Sequence, residues 1–145
     1  MQQGIFGIWK SNGMPANNVP WKEHMRRLIP SQYVHVGCIQ FEQISYNGFF
    51  LTVCKGDNCA KVHNAFYFIQ NILYVENVQE HVLVIEQFTR VCDFFQYPYN
   101  SRHFNVVQCD RLSDELETAY VSEVQDKLIS LPHKETFILI PLNRG

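Results

Sequence analysis

The sequence predicts a mainly β fold, a small, partly open antiparallel β-barrel carrying one or two short helices. Three observations lead there. The run Asn64–Val75 and the run His81–Arg90 are rich in β-branched and aromatic residues and are separated only by the polar stretch Glu76–Glu80, the pattern of two antiparallel strands and their turn. Both runs are nearly continuous in apolar residues, so they predict central strands covered on both faces. Aromatic residues make up 14% of the chain, led by eleven Phe and seven Tyr, which favours a β-rich core.

A length of 145 residues suits one domain with a real core. Hydrophobic residues at 46% and charged residues at 18% describe a globular chain. The net charge of −2 argues against non-specific DNA binding by the whole surface, which calls for a basic protein. Five cysteines (Cys38, Cys54, Cys59, Cys92, Cys109), without a secretory leader pattern, predict reduced thiols in an intracellular protein, nuclear or cytoplasmic. No Asn-x-Ser/Thr sequon occurs. No apolar run approaches the ~18 residues of a membrane helix, so no membrane partner is expected.

In chain order, residues 1–32 read as an N-terminal extension and 33–145 as the barrel-like domain. Met1–Trp9 offers a short strand or an apolar linker remnant, and Ser11–Val19 has turn composition. Pro20 suits a helix's first turn, and Trp21, Met25 and Leu28 then share one face of a short amphipathic helix that Pro30 stops. Its opposite side, Lys22, Arg26 and Arg27, offers weak contact to nucleic-acid phosphates or a plain solvated face. Tyr33–Ile44 reads as a strand, and Asn47-Gly48 is the strongest two-residue hairpin signal, leading into Phe49–Val53. Lys55–Asn58 is a loop before the central pair. Asp93–Arg102 is irregular and aromatic, Phe104–Gln108 a strand, Asp110–Glu117 a polar acidic stretch, and Thr118–Val121 a short strand. Ser122 and Gln125 have capping-box spacing and predict one or two helical turns through Ile129, broken by Pro132, before a last strand, Thr136–Leu142.

Cys54-x4-Cys59-x3-His63 is the one metal-like spacing, but no second close pair accompanies it, so buried or free thiols are expected and no metal or cofactor. The phosphate-loop, dinucleotide-binding, nucleophile-elbow and zinc-protease motifs are absent. Between residues 110 and 126 stand six acids and a single base, Arg111: a solvated face or a dock for a basic tail. Phe94, Phe95, Tyr97, Tyr99 and His103 form an aromatic cluster in irregular chain. Such a cluster either plugs a barrel end or cages a cation.

The runs Ile44–Val53, Lys55–Val62 and the central hairpin resemble the region after the catalytic domain of CACTA-type (En/Spm-like) transposases and the animal proteins derived from them. So do Val91–Ser101, Leu112–Leu116, Val121–Pro132 and Phe137–Leu142, and the likeness spans about residues 33–142. The resemblance implies that the family's ribonuclease-H-like catalytic domain lies upstream, so no catalytic residue carries over. It also implies a β module comparable in outline to the bromo-adjacent homology (BAH) domain of chromatin proteins, an analogy of fold alone.

The expected function is therefore a non-catalytic protein- or chromatin-binding module that takes a protein or a basic peptide such as a histone tail. Phe94, Phe95, Tyr97, Tyr99, Asp114, Glu115 and Glu117 are its candidate binding residues. The alternatives are a small enzyme with an unrecognised Cys/His site and a purely structural or oligomerisation domain.

Overall fold

The computed structural model describes residues 6–8, 32 and 38–142. The expected helix, the basic residues Lys22, Arg26 and Arg27, and the start of the strand placed at Tyr33 lie outside them. The described strands are β1 (Phe6–Ile8), β2 (Cys38–Phe41), β3 (Gln43–Tyr46), β4 (Phe49–Thr52), β5 (Cys59–Val62), β6 (Ala65–Val75), β7 (Glu80–Asp93), β8 (Val107–Tyr120), β9 (Val124–His133) and β10 (Thr136–Pro141). The fold is mainly β and antiparallel, a small partly open barrel. β5, β6, β7, β8, β10 and β9 pair in a ring that closes on β5, while β1, β3 and β4 form a separate three-stranded sheet.

The β6–β7 hairpin is the longest described ladder together with β7–β8, and its faces are both covered, as its composition predicts. On β7, Val82 and Val84 pack with Cys38, Leu73 and Val75 on one side. Leu83 and Ile85 pack on the other, with Ile69, Ile72 and the residues of β2–β4. Farther along the inner side, Phe66 and Phe88 join Cys59, Cys109, Leu128 and Leu139, so every strand of the ring sends a side chain into that cluster. It is the barrel interior. Phe68 of β6 is partly exposed and lies tilted against Phe88, with ring centres 4.6 Å apart.

β6 divides its second edge between two partners. Residues 65–68 pair with β5 and residues 72–75 with β2. Asn58 fills the gap: its carbonyl accepts the Ile69 N–H at 2.7 Å and its side-chain amide donates to the Ile69 carbonyl at 3.1 Å. A buried backbone is thus kept bonded where no strand reaches it.

Turn chemistry sets the hairpins. Asn47 (φ 51°) and Gly48 (φ 82°) join β3 to β4 as expected. His63 (φ 50°) and Asn64 (φ 64°) make a second turn of this kind between β5 and β6. Sequence reading did not separate β5 from the central pair, because neither residue is glycine and a four-residue strand carries little periodicity.

Three other expectations are corrected. The helix expected from Ser122 to Ile129 is a 3₁₀ turn, Val121–Glu123, followed by β9. Its local capping pattern is overridden because this segment closes the ring between β5 and β10. Pro132 does not break the chain. It lies in β9 opposite Phe137, beyond the residues that β5 pairs, so its missing N–H interrupts no ladder on that side. The strand placed at Phe104–Gln108 begins only at Val107, after the 3₁₀ turn Ser101–Phe104, and runs on through the polar stretch Asp110–Glu117, which forms the middle of β8. A half-exposed strand bonded along β7 needs few apolar residues, which hid it.

Two stability results are expected. Val84→Ala, at a fully buried position, lowers stability by roughly 1–3 kcal/mol through lost burial and a residual cavity, read from a urea midpoint. An unchanged midpoint would contradict the two-faced hairpin. His81 is buried between the Phe41 and Tyr74 rings, and burial pushes its pKa down. Because the folded state resists its protonation, its contribution is whole above the ordinary value of about 6.5 and is lost as the pH falls through it. The stability drop from pH 7.5 to pH 5 is therefore smaller in His81→Phe than in the parent, and equal drops would refute the assignment.

Candidate functional site at the barrel mouth

The chain leaves β7 at Asp93 and returns in β8 at Val107, directly opposite, so residues 94–106 arch over one end of the barrel. Ser101 ties the arch from within. It is fully buried, its hydroxyl accepts the Phe94 N–H at 2.7 Å and donates to the Val106 carbonyl at 2.6 Å, and its own N–H reaches the Phe95 carbonyl at 2.7 Å. Asp93 accepts the Arg102 N–H at 2.8 Å, and the Arg102 guanidinium donates to the Val91 carbonyl at 3.1 Å. A connection of thirteen residues is thereby pinned at its base.

This pinned backbone turns its aromatic side chains outward. Phe94, Phe95 and Phe104 are exposed, Tyr99 is 65% exposed and Tyr97 89%. Phe94 stands edge-on to Phe95 at 6.4 Å and to His133 on β9 at 5.5 Å. Tyr97 and Tyr99 touch no other ring in the described contacts, so they close no aromatic cage among the described residues. Tyr97 exposed to this degree does not plug the barrel.

Beneath the arch lies a cleft of about 450 Å³, its floor at Phe66, Phe88 and Val91 at the top of the barrel interior. Lys61 enters from β5 and Arg102 from the arch. The Lys61 ammonium donates to Asn105 Oδ1 at 2.9 Å and sits 5.8 Å from the Phe66 ring centre. Asn105 in turn donates to Asp126 at 3.2 Å. A smaller hollow of about 430 Å³ lies on the other side of Arg102, next to His103.

The acids read as partners of the aromatic segment stand elsewhere. Asp114, Glu115 and Glu117 are exposed on β8. Asp114 is seven positions beyond Val107, about 20 Å along the strand at ~3.3 Å per residue. Asp114 and Glu115 sit in a bulge, where residues 113–115 oppose only Gln87 between the pairs Glu86–Leu116 and Phe88–Leu112. The Ser113 hydroxyl accepts the Glu115 N–H at 3.1 Å and shapes that bulge. Glu117 accepts from Tyr67 at 3.4 Å, and burial, followed by the charge and hydrogen bond of Glu117, pushes the tyrosine's pKa up. The structure thus keeps the aromatic residues on the arch and the acids on β8, on separate parts of the surface. Sequence reading missed Lys61, Arg102 and Asn105. Their convergence depends on the ring pairing and has no sequence spacing to betray it.

The metal-like residues do not converge. Cys59 is buried in the barrel interior, Cys54 is exposed in the loop before β5, and His63 lies on the β5–β6 turn, 2.7 Å from Glu123. That bond holds the Glu123 carboxyl below its usual range. Among the described residues no group of three His, Cys, Asp or Glu side chains is arranged to hold a metal ion. The thiols divide by exposure. Burial pushes Cys59 and Cys109 up to about 12, while Cys54 and Cys92 face solvent. A native sample is therefore expected to release two fast equivalents with an aromatic disulfide reagent at pH 8, with Cys38, Cys59 and Cys109 reacting only on unfolding. Five fast equivalents would show that the barrel is open.

Neither the curated proteins nor the solved structures contain a match to this chain. A family model does match, over residues 23–142, which takes in every strand from β2 to β10 and the arch over the barrel mouth. The chain accordingly belongs to the family described as a domain of unknown function, DUF8592.

Proposed function

We propose that this domain is a non-catalytic binding module that recognises a basic, extended peptide, and that the arch 94–106 is its recognition element. One observation carries the reading: exposed aromatic rings stand on a backbone fixed by the buried Ser101 and by Asp93. Exposed rings on a slack loop would lose ordering entropy on binding, whereas a pinned platform loses little. Tyr rings add amphipathic area and accept a Lys or Arg head over their faces. About six or seven extended residues span the ~20 Å of β8 between the return of the arch at Val107 and the acids Asp114 and Glu115, so a peptide running along β8 would reach them. The resemblance to transposase-derived proteins makes a histone tail the natural candidate, in a nuclear setting.

The enzyme alternative finds less support. The buried Cys59 and Cys109 thiols, pushed up to about 12, make weak nucleophiles, and the buried His81 packs on aromatic rings.

Binding to an array of modified and unmodified histone-tail peptides tests the reading. Tyr97→Ala with Tyr99→Ala is expected to weaken the best ligand by about five- to thirtyfold, since two cation–π contacts are worth ~0.5–1 kcal/mol each at exposed sites, while the melting temperature is unchanged because both rings face solvent. Asp114→Lys with Glu115→Lys is expected to weaken binding most at low salt. An array without any basic ligand, or a tyrosine variant that binds like the parent, would overturn the proposal.

A further inference from the structure

We infer that the cleft under the arch is an anion site, built to take the phosphate group of a nucleotide-sized ligand. This inference is independent of the peptide reading, which uses the outer surface of the arch.

The first support is position. The cleft sits in the mouth of a β-barrel over an apolar floor, where small ligands are commonly held, and its volume of about 450 Å³ falls in their range. The second is the character of its walls. Lys61 and Arg102 supply two cations from elements 41 residues apart in sequence, and Asn64, Asn105 and Thr89 add neutral hydrogen-bonding groups. Among the described residues no carboxylate lines it. Two acids stand behind these walls and orient them: Asp126 holds Asn105 at 3.2 Å, and Asp93 lies 4.0 Å from the Arg102 Nε. They position the donors and leave the lining free of negative charge.

The third is donor supply. Lys61 commits one of its three N–H groups in the described bonds, to Asn105, and Arg102 commits one of its guanidinium N–H groups to Val91. Several charged donors therefore remain in the lining of the cleft. A carboxylate, flat and with two oxygens, is met by one guanidinium. A phosphate presents oxygens in three directions and suits an ammonium and a guanidinium that line one cleft together with side-chain amides.

Amide-resolved NMR titration of the whole chain tests this with inorganic phosphate, AMP and adenosine, and with a short single-stranded oligothymidylate lacking terminal phosphates. AMP is expected to shift Asn64, Phe66, Thr89 and Asn105 saturably, phosphate to shift the same residues more weakly, and adenosine to bind at least tenfold less tightly than AMP. Lys61→Gln, a half-buried surface change with one described bond, is expected to weaken AMP at least tenfold with the melting temperature preserved. Lys134→Gln, on the β9–β10 turn outside the cleft lining, leaves it unchanged. Tighter binding of the oligomer than of AMP assigns the phosphate to a nucleic-acid strand, and the reverse assigns it to a free nucleotide. Shifts elsewhere, equal binding of adenosine and AMP, or an unaffected Lys61→Gln variant would overturn the inference. Because Lys61 is not part of the aromatic platform, its failure leaves the peptide reading intact.

Discussion

A buried ammonium joins the two sheets of this protein. The Lys127 side chain, 2% exposed, leaves β9 on the outer side of the barrel and donates to the Phe50 carbonyl at 2.8 Å, the Asp57 carbonyl at 2.6 Å and the Asp57 carboxylate at 2.9 Å. All three of its N–H groups are used. Burying a charge without partners costs several kcal/mol, so the arrangement holds only with all three acceptors in place. That condition locks β4 and the loop before β5 against β9, at the seam where the ring of strands closes through the pairing of β5 with β9. Ser130 adds a backbone bond to Gly56 beside that seam, and Leu142 bonds Lys127 from the other edge of β9.

Closure at that seam gives the barrel an interior, and the interior decides what its mouth looks like. Phe66 and Phe88 cap the inner cluster and become the floor of the cleft. The arch 94–106 cannot collapse onto that floor, because Asp93 and Ser101 bind its backbone at either side of the 3₁₀ turn. Its rings are held outside and Arg102 and Asn105 beneath, so one connection serves two surfaces with different chemistry. Loops carried on a rigid scaffold are where a β domain can vary its function, and here the scaffold reaches into the loop through a single buried hydroxyl.

The aromatic platform was legible because Phe94, Phe95, Tyr97 and Tyr99 fall within six consecutive residues of irregular chain. Their grouping with Asp114, Glu115 and Glu117 was a matter of nearness in sequence, and a strand of fourteen residues carries those acids away from the arch. The cleft was not legible. Lys61 lies on a short strand, Arg102 and Asn105 on the arch, and Asp126 on a segment with a helix-like local pattern. Only the ladders among β5, β9, β7 and β8 bring them into one place.

By itself the sequence determined what depends on neighbours along the chain. The β6–β7 hairpin follows from two apolar runs around a polar turn, and the β3–β4 hairpin from Asn47-Gly48, whose positive φ angles suit that turn. The mainly β barrel follows from these. The tertiary structure decided what depends on partners far apart. It made Val124–His133 a strand in spite of its capping pattern, because the ring needs a member between β5 and β10. It gave Asp110–Glu117 a backbone partner in β7 that its polar side chains do not announce. Local pattern sets conformation where the chain's own turns satisfy its hydrogen bonds. Where those bonds are made to strands sixty or more residues away, as from β9 to β5, the fold chooses the conformation and the sequence only permits it.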